Sequence, residues 1–450
     1  MIKKIVSVLV RYYLRLIFTR VSFILFLYVT EQFCRHFSPR GRGEYCIMEG
    51  KIMETVFNSP NPILFGPGAS KATGQKLKEF GCTKVMVVFD PGIKKAGIAD
   101  KIVEAVKSAG LEVITFGDVQ ADPPDWSVEQ AGNIAIAEKV DGVVGVGGGS
   151  SMDTAKGVKL LIANPPPLKQ YFGRTGVVTK PSVPLIVIPT TAGTGSECTP
   201  GGTITNSELG IKTNISGVGC AVTLGIVDPE LTASLPKYVT ATTGLDAFCH
   251  CFESYTSAMA NSISSVLGRE GIRLVGKYLV RAYENGSDDM EAREGMQLAA
   301  TLGGMAMSGA FCHLCHDIGR SLGAKFHVPH GHGCSVTVPQ VLQVIAPAQP
   351  EKVKYIAECL GAQVPDGATG EEIGQIAYDA AHDLLKKVNL PGMASLGLKK
   401  EELLAQVPDE VVMQVEMEIK GFGGIAPPPM PVTKELIADI IVRAYDENNF

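Results

Sequence analysis

The stretch GVGGGSSMDTAKG, residues 145–157, stands where a run of small apolar residues gives way to a helical pattern. Three consecutive glycines, Gly147, Gly148 and Gly149, let backbone amides approach a ligand with no Cβ in the way. Ser150 is placed to cap the following helix, and Asp153 stands at the capping-box position three residues on. The positive end of that helix points into the turn, and a pyrophosphate is the usual occupant of such a place. The stretch is not the G-x-G-x-x-G fingerprint, because Ser150 occupies the third glycine position, and it lacks the Gly-Lys-Ser/Thr ending of a Walker loop. A glycine turn that serves only close strand–helix packing is the plainer alternative.

Working outward, KVMVVFD at 84–90 reads as a buried strand, 93–109 as a helix, 111–119 as a strand, 128–139 as a helix and 142–146 as a strand. This alternation specifies right-handed βαβ units in a parallel sheet, whose carboxyl ends receive nucleotides. Further strands at 184–188 and 225–228 run into PTTAGTGSE and DPELTASLP. Beyond about Leu231 the pattern is helical throughout, as over 290–322 and 371–388. The expected architecture is an α/β dinucleotide-binding domain with a parallel sheet, residues 48–231, followed by an all-helical domain, residues 232–450, with a cleft between them. No internal repeat interrupts it.

Composition excludes several classes. A net charge of −5 with pI near 6.0, and no basic block after residue 43, leaves no electrostatic footprint for nucleic acid. Eleven cysteines, an odd number spread over 450 residues, read as the reduced thiols of a cytoplasmic protein. Residues 1–47 differ from the rest, being basic and apolar with Arg11, Arg15 and Arg20 interrupting the run. Their longest uncharged stretch, Val21–Thr30, is half of the roughly 20 residues that a membrane span needs. No small-x-small cleavage site follows. The extension is expected to precede the folded enzyme, with Met48 or Met53 as its start, so no membrane partner is expected unless the extension is a signal or an anchor.

CHLCHDIGRSLGAKFHVPHGHG, residues 312–333, holds five of the eight histidines and two of the eleven cysteines. Cys312-x-x-Cys315-His316 spells a c-type haem attachment signature. Against haem, the chain has no convincing export signal, and MAMSGAFCHLCHDIG is a small-residue helical pattern suited to burial, where a free thiol behaves as a small hydrophobe. A four-cysteine zinc site would have to recruit Cys249 and Cys251 from a distant segment. In GLDAFCHCFE, Asp246 and His250 are four apart, so both side chains leave one helix face and can converge on one ion. A surface hydrogen bond is the commoner use of that spacing, although the apolar residues between the two disfavour it.

GGGSSMDTAKG, PTTAGTGSE, DPELTASLP, GLDAFCHCFE and FHVPHGHG, in this order over about residues 53–450, resemble the iron-dependent (group III) alcohol dehydrogenase family. The extension has no place in that resemblance. The resemblance implies a dehydroquinate synthase-like architecture, a homodimer or larger homo-oligomer, and hydride transfer between NAD(H) and a small alcohol or aldehyde. Asp246, His250, His316 and His330 are then the ligands of one divalent ion, Fe(II) in first place and Zn(II) second. The pyrophosphate would rest on Gly147, Gly148, Gly149 and Ser150, with Asp153 in the same turn. The nicotinamide end would lie near Thr190, Thr191 and Thr194, with Lys212 close by. Asp90, closing the first strand, would meet the adenosine ribose and disfavour the 2′-phosphate of NADP.

Four positions are implied to serve catalysis: His316, His330, His327 at the substrate pocket, and Arg320. Many members place a histidine at the last of these as a proton relay. Arginine cannot relay a proton but can grip a carboxylate or phosphate, so an acidic aldehyde or hydroxy acid as substrate is one reading and a structural ion pair with Asp317 or another carboxylate the other. A second departure is GVGCAVTLG, residues 217–225, which lacks the acidic and proline residues often found before DPEL. A zinc polyol dehydrogenase on the same fold, and a non-catalytic metal- or haem-binding protein, are the competing readings.

Overall fold

The structure, a computed structural model, describes residues 57, 61–173, 179–419 and 428–448; the extension and the two candidate start methionines lie outside the described residues. Residues Thr55–Phe450 make one compact unit. Strands β1 (Ile63–Phe65), β2 (Lys84–Val88), β3 (Glu112–Phe116), β4 (Gly142–Gly147), β5 (Leu185–Pro189) and β8 (Leu224–Val227) form a parallel sheet in the order β1-β8-β5-β4-β2-β3. Successive side chains point to opposite faces: Val85 and Val87 of β2 join one apolar cluster, Met86 and Val88 the other. In the inner strands β2, β4, β5 and β8 both faces are buried, which is why these read as unbroken apolar runs. Two strands that the pattern did not single out, β6 (Gly201–Asn206) and β7 (Ile211–Ser216), pair as an antiparallel hairpin.

Around the sheet lie α1 (Thr73–Glu79), α2 (Pro91–Lys95), α3 (Ile98–Ser108), α4 (Asp125–Ala137) and α5 (Gly149–Ala163). After β8 the described elements are helical: α6 (Lys237–Thr256), α7 (Ser262–Asn285), α8 (Met290–Ala310), α9 (Leu314–Phe326), α10 (His330–Ser335), α11 (Val338–Ile345), α12 (Pro350–Cys359), α13 (Gly370–Lys387), α14 (Lys400–Ile419) and α15 (Lys434–Glu447). The fold class follows the sequence reading, but two single helices prove to be pairs. The helix expected over 93–109 breaks at Gly97, whose φ of 72° no helix accommodates. The one expected over 290–322 breaks at Phe311, φ 56°, and its halves α8 and α9 meet at 100°. Apolar periodicity continues through the break, so it gave no warning. Among the described residues no single helix is long and apolar enough to cross a membrane.

Candidate active site

Strand β2 is where the strand order reverses, with β3 on one side and β4 on the other, and the crevice beyond such a point is where open α/β sheets bind ligands. Two of the expected cofactor residues meet there. β2 runs out into Asp90 and β4 into the three glycines. Gly147 has φ 145°, and a Cβ on it would stand 2.5 Å from Ser151 Oγ and 3.2 Å from Asp90 Oδ2. Asp90 already caps α2, accepting from the Gly92 and Ile93 amides, and it also accepts from Ser151 Oγ at 3.1 Å.

The expected capping arrangement is corrected. The N-cap of α5 is Gly148, without any side-chain cap, and Ser150 lies inside the first turn. Asp153 instead accepts from Ser196 Oγ at 2.7 Å and from the Thr203 amide at 2.8 Å, tying α5 to loop 189–197 and to β6. A glycine cap leaves the first-turn amides uncommitted, as an anion site requires.

Loop 189–197 closes over the turn. The Thr190 amide donates to Gly147 O at 3.0 Å. Cβ atoms on Gly148 and Gly149 would meet Thr191 at 3.7 Å and Thr194 at 3.2 Å. The buried hydroxyls of Thr190 and Thr191 have no hydrogen-bond partner. The loop's foot is held by Lys156, which is wholly buried and donates to Ser196 O, Ser196 Oγ, Thr199 Oγ1 and Gly201 O at 2.6–2.8 Å. Sequence reasoning quoted Lys156 but gave it no role. Lys212 pairs with Asp122 at 2.7 Å, and its Nζ lies 3.4 Å from where a Cβ on Gly323 would stand. It therefore reaches helix α9, on the metal side of the site.

The metal candidates converge. The Nε2 atoms of His250, His316 and His330 lie 3.9, 3.8 and 3.8 Å from a single atom, Asp246 Oδ1. Asp246 and His250 come from one face of α6, His316 from the first turn of α9, and His330 opens α10. Asp246 Oδ1 and His316 Nε2 are buried and have no hydrogen-bond partner. The far side of two rings is fixed: His250 Nδ1 lies 3.2 Å from Gly193 O, and His316 Nδ1 is hydrogen-bonded to Glu253 Oε2. With Nδ1 as the donor in each, Nε2 is left as a lone pair aimed at the common point.

Burial holds the His250 imidazole below the usual histidine range and pushes His316 down to about 4, so both rings are neutral ligands at physiological pH. Glu253 is fully buried, and burial raises its carboxyl; it also accepts from the Cys315 amide at 2.7 Å. Sequence reasoning passed over it, although it ends the quoted GLDAFCHCFE. Two buried carboxylates beside neutral imidazoles call for a cation, and the orphaned oxygen and nitrogen mark where it fits. His330 keeps 35% of its side chain open and forms the accessible side of the cluster.

The remaining histidines separate. His313 is fully buried, with Nε2 2.9 Å from Thr256 Oγ1, and His332 lies between Tyr238 OH at 3.0 Å and Pro391 O at 2.7 Å, so both are structural. His327 is exposed at the end of α9 with φ 56°. Cys312 and Cys315 are 5% and 0% exposed, and the nine described cysteines are all free. Thiols enclosed in this way leave the Cys-x-x-Cys-His spelling without the access that covalent haem attachment requires. Arg320 is half-buried one turn after His316.

Comparison with known proteins settles the family. Residues 60–229 match the family model described as iron-containing alcohol dehydrogenase, and residues 240–445 match the C-terminal model of the same family. The chain belongs to the iron-containing alcohol dehydrogenase family. It is thus an oxidoreductase acting on alcohols and aldehydes. Choline dehydrogenase of Bacillus subtilis (strain 168) is 36% identical over 77% of this chain and 86% of its own. NAD-dependent methanol dehydrogenase of Bacillus methanolicus is 35% identical over 78% and 92%. Sulfoacetaldehyde reductase of Bilophila wadsworthia (strain 3_1_6) is 34% identical over 78% and 91%. The crystal structure of a 1,3-propanediol oxidoreductase superposes with TM-score 0.81 at 31% identity, covering 87% of this chain and all of that one.

Proposed function

We propose that the protein is a metal-dependent NAD(H)-linked alcohol dehydrogenase and aldehyde reductase, with Asp246, His250, His316 and His330 holding one divalent ion, Fe(II) first and Zn(II) second. The observation that carries this reading is the approach of three imidazole nitrogens to within 3.8–3.9 Å of one orphaned carboxylate oxygen. A divalent ion there supplies Lewis acidity to an alcohol or carbonyl oxygen, and the nicotinamide gives or takes the hydride.

The chain's own residues bind and orient. Gly147, Gly148, Gly149 and Ser150 receive the pyrophosphate, and Thr190, Thr191 and Thr194 border the nicotinamide end. Asp90 takes the ribose hydroxyls and disfavours NADP. Gly193 and Glu253 fix two ligand rings, while His330 and His327 border the substrate's entry. Functionally the chain divides near residue 231. We place the enzyme in the cytoplasm, consistent with its unpaired thiols, and expect a homodimer or larger homo-oligomer by family likeness.

A specific observation favours an acidic substrate. Arg320 stands half-buried one turn from the metal ligand His316, and a guanidinium so placed can hold the carboxylate or sulfonate of an aldehyde. The relatives act on substrates as different as choline and sulfoacetaldehyde, so family membership leaves the substrate's charge open. The test is NADH oxidation by the full chain, purified without oxygen, against neutral and acidic aldehydes, before and after chelation and with Fe(II) or Zn(II) restored. Activity should vanish on chelation and return with one metal. Turnover indifferent to chelation would end the metal reading.

A further inference from the structure

Five thiols, those of Cys249, Cys251, Cys312, Cys315 and Cys334, pack in the interior of the helical part. We propose that Cys334 is a further ligand of the divalent ion, giving the site a sulfur donor that moves its preference toward Zn(II). The inference rests on the metal reading above and concerns a residue outside its four ligands.

Cys334 follows His330 by four residues on α10, so both side chains leave the same face of the helix. Its sulfur lies 3.8 Å from both ring nitrogens of His330, the spacing that the three imidazoles keep from Asp246 Oδ1. The donor atoms of Asp246, His316, His330 and Cys334 all fall within 4.8 Å of one another. Two ligands on opposite sides of one ion, with metal–nitrogen and metal–sulfur bonds of about 2.1 and 2.3 Å, stand roughly 4.4 Å apart, so small adjustments close the set. Two of its members, Asp246 Oδ1 and His316 Nε2, are the buried atoms without a hydrogen-bond partner.

The sulfur is also held in place. Cys334 is 0% exposed, and a Cβ on Gly319 would come within 2.6 Å of its Sγ, so α9 presses against it where only glycine fits. Cys312 is the rival donor. It shares a 4.8 Å group with His250 and His316, but that group omits Asp246, the residue the three imidazoles face. A weak S–H hydrogen bond to His330 would satisfy the Cys334 geometry without metal, which makes the spectrum of the loaded protein decisive. On ligation the thiol gives its proton to solvent and no electron changes hands. A soft thiolate among imidazoles favours Zn(II) over Fe(II) and tempers the ion's Lewis acidity through added negative charge.

The experiment loads the metal-free full chain with one equivalent of Co(II) and records its near-ultraviolet absorption, where thiolate-to-cobalt charge transfer appears. The expected result is a charge-transfer band in the wild type and in Cys312→Ser, lost in Cys334→Ser and Cys334→Ala. Zn(II) affinity, read by competition with a chelator, should fall roughly tenfold or more in the Cys334 variants. A wild type that binds Co(II) without the band would overturn the proposal whatever the variants do, as would a band that survives in Cys334→Ser. Failure of the wild type to bind Co(II) would remove the metal reading and this ligand together.

Discussion

At the glycine turn the working atoms belong to the backbone; at the metal cluster they belong to side chains. The turn is made by β4, β5 and α5, each locked by ladder and helix bonds, and its specificity lies in what is missing: Cβ atoms on Gly147, Gly148 and Gly149, and a side-chain cap on α5. The cluster is made by residues from three helices brought together at the cost of burying two carboxylates, and its specificity lies in atoms left without partners. One site is prepared by geometry and the other by unmet charge. They should therefore fail differently when altered.

The largest expected effect comes from removing a member of the cluster. Asp246→Ala or His316→Ala should lower turnover by about a thousandfold or more, since several kcal/mol of charge stabilisation go with the ion, while fluorescence titration finds NADH binding nearly unchanged. Turnover retained in either variant would break the contrast at once. Gly147→Ala is the mirror experiment. With φ 145° and Ser151 Oγ 2.5 Å from the new Cβ, the strain of about 1–3 kcal/mol should weaken NADH binding roughly tenfold and leave metal content as it was. Loss of metal from that variant would mean the two sites are not separately built.

Smaller and more selective is Arg320→Gln. A charge-assisted hydrogen bond of about 1.5–3 kcal/mol should disappear for acidic aldehydes alone, lowering their kcat/KM by roughly 10- to 100-fold relative to neutral ones. Equal losses for both would return Arg320 to a structural role. The smallest effect concerns protons. Burial pushes His313 down to about 4, so the folded state keeps it neutral while the unfolded chain takes up a proton below about 6.5. Its contribution to stability is complete above about 6.5 and lost as pH falls toward 4. The stability advantage of the wild type over His313→Gln, measured by denaturant unfolding of the metal-free protein, should shrink over that window. The raised carboxyl of Glu253 acts in the opposite sense and is common to both proteins. An advantage independent of pH would show that the fold does not lower the proton affinity of His313 below that of the unfolded chain.

The two regions were unequally legible in the sequence. The sheet could be read because strands buried on both faces are continuous Val, Ile and Met runs, as in KVMVV, and the glycine turn because its residue types are forced by backbone approach. Asp246 and His250 could be paired because four residues make one helical turn. Glu253 and Lys156 sat inside quoted motifs and still went unassigned, since their partners, His316 and Ser196, lie 63 and 40 residues away in the chain. Hairpin β6–β7 did carry a signal, alternating Thr and Ile in GGTITN and IKTNIS, that could have found it. The break at Phe311, φ 56°, left no trace, because no glycine or proline stands at that position. The supposed Ser150 cap failed for a related reason: a good capping residue is not used where the open amides are needed.

Loop 189–197 touches three things at once. Thr190 bonds the glycine turn, Gly193 bonds the ring of His250, and Gly195 lies so close to Gly304 of α8 that a Cβ on either would collide with the other's backbone. A loop pinned at three points has little freedom to move, so it serves as a common wall: each of the two separately built sites keeps its shape whether or not the other is filled.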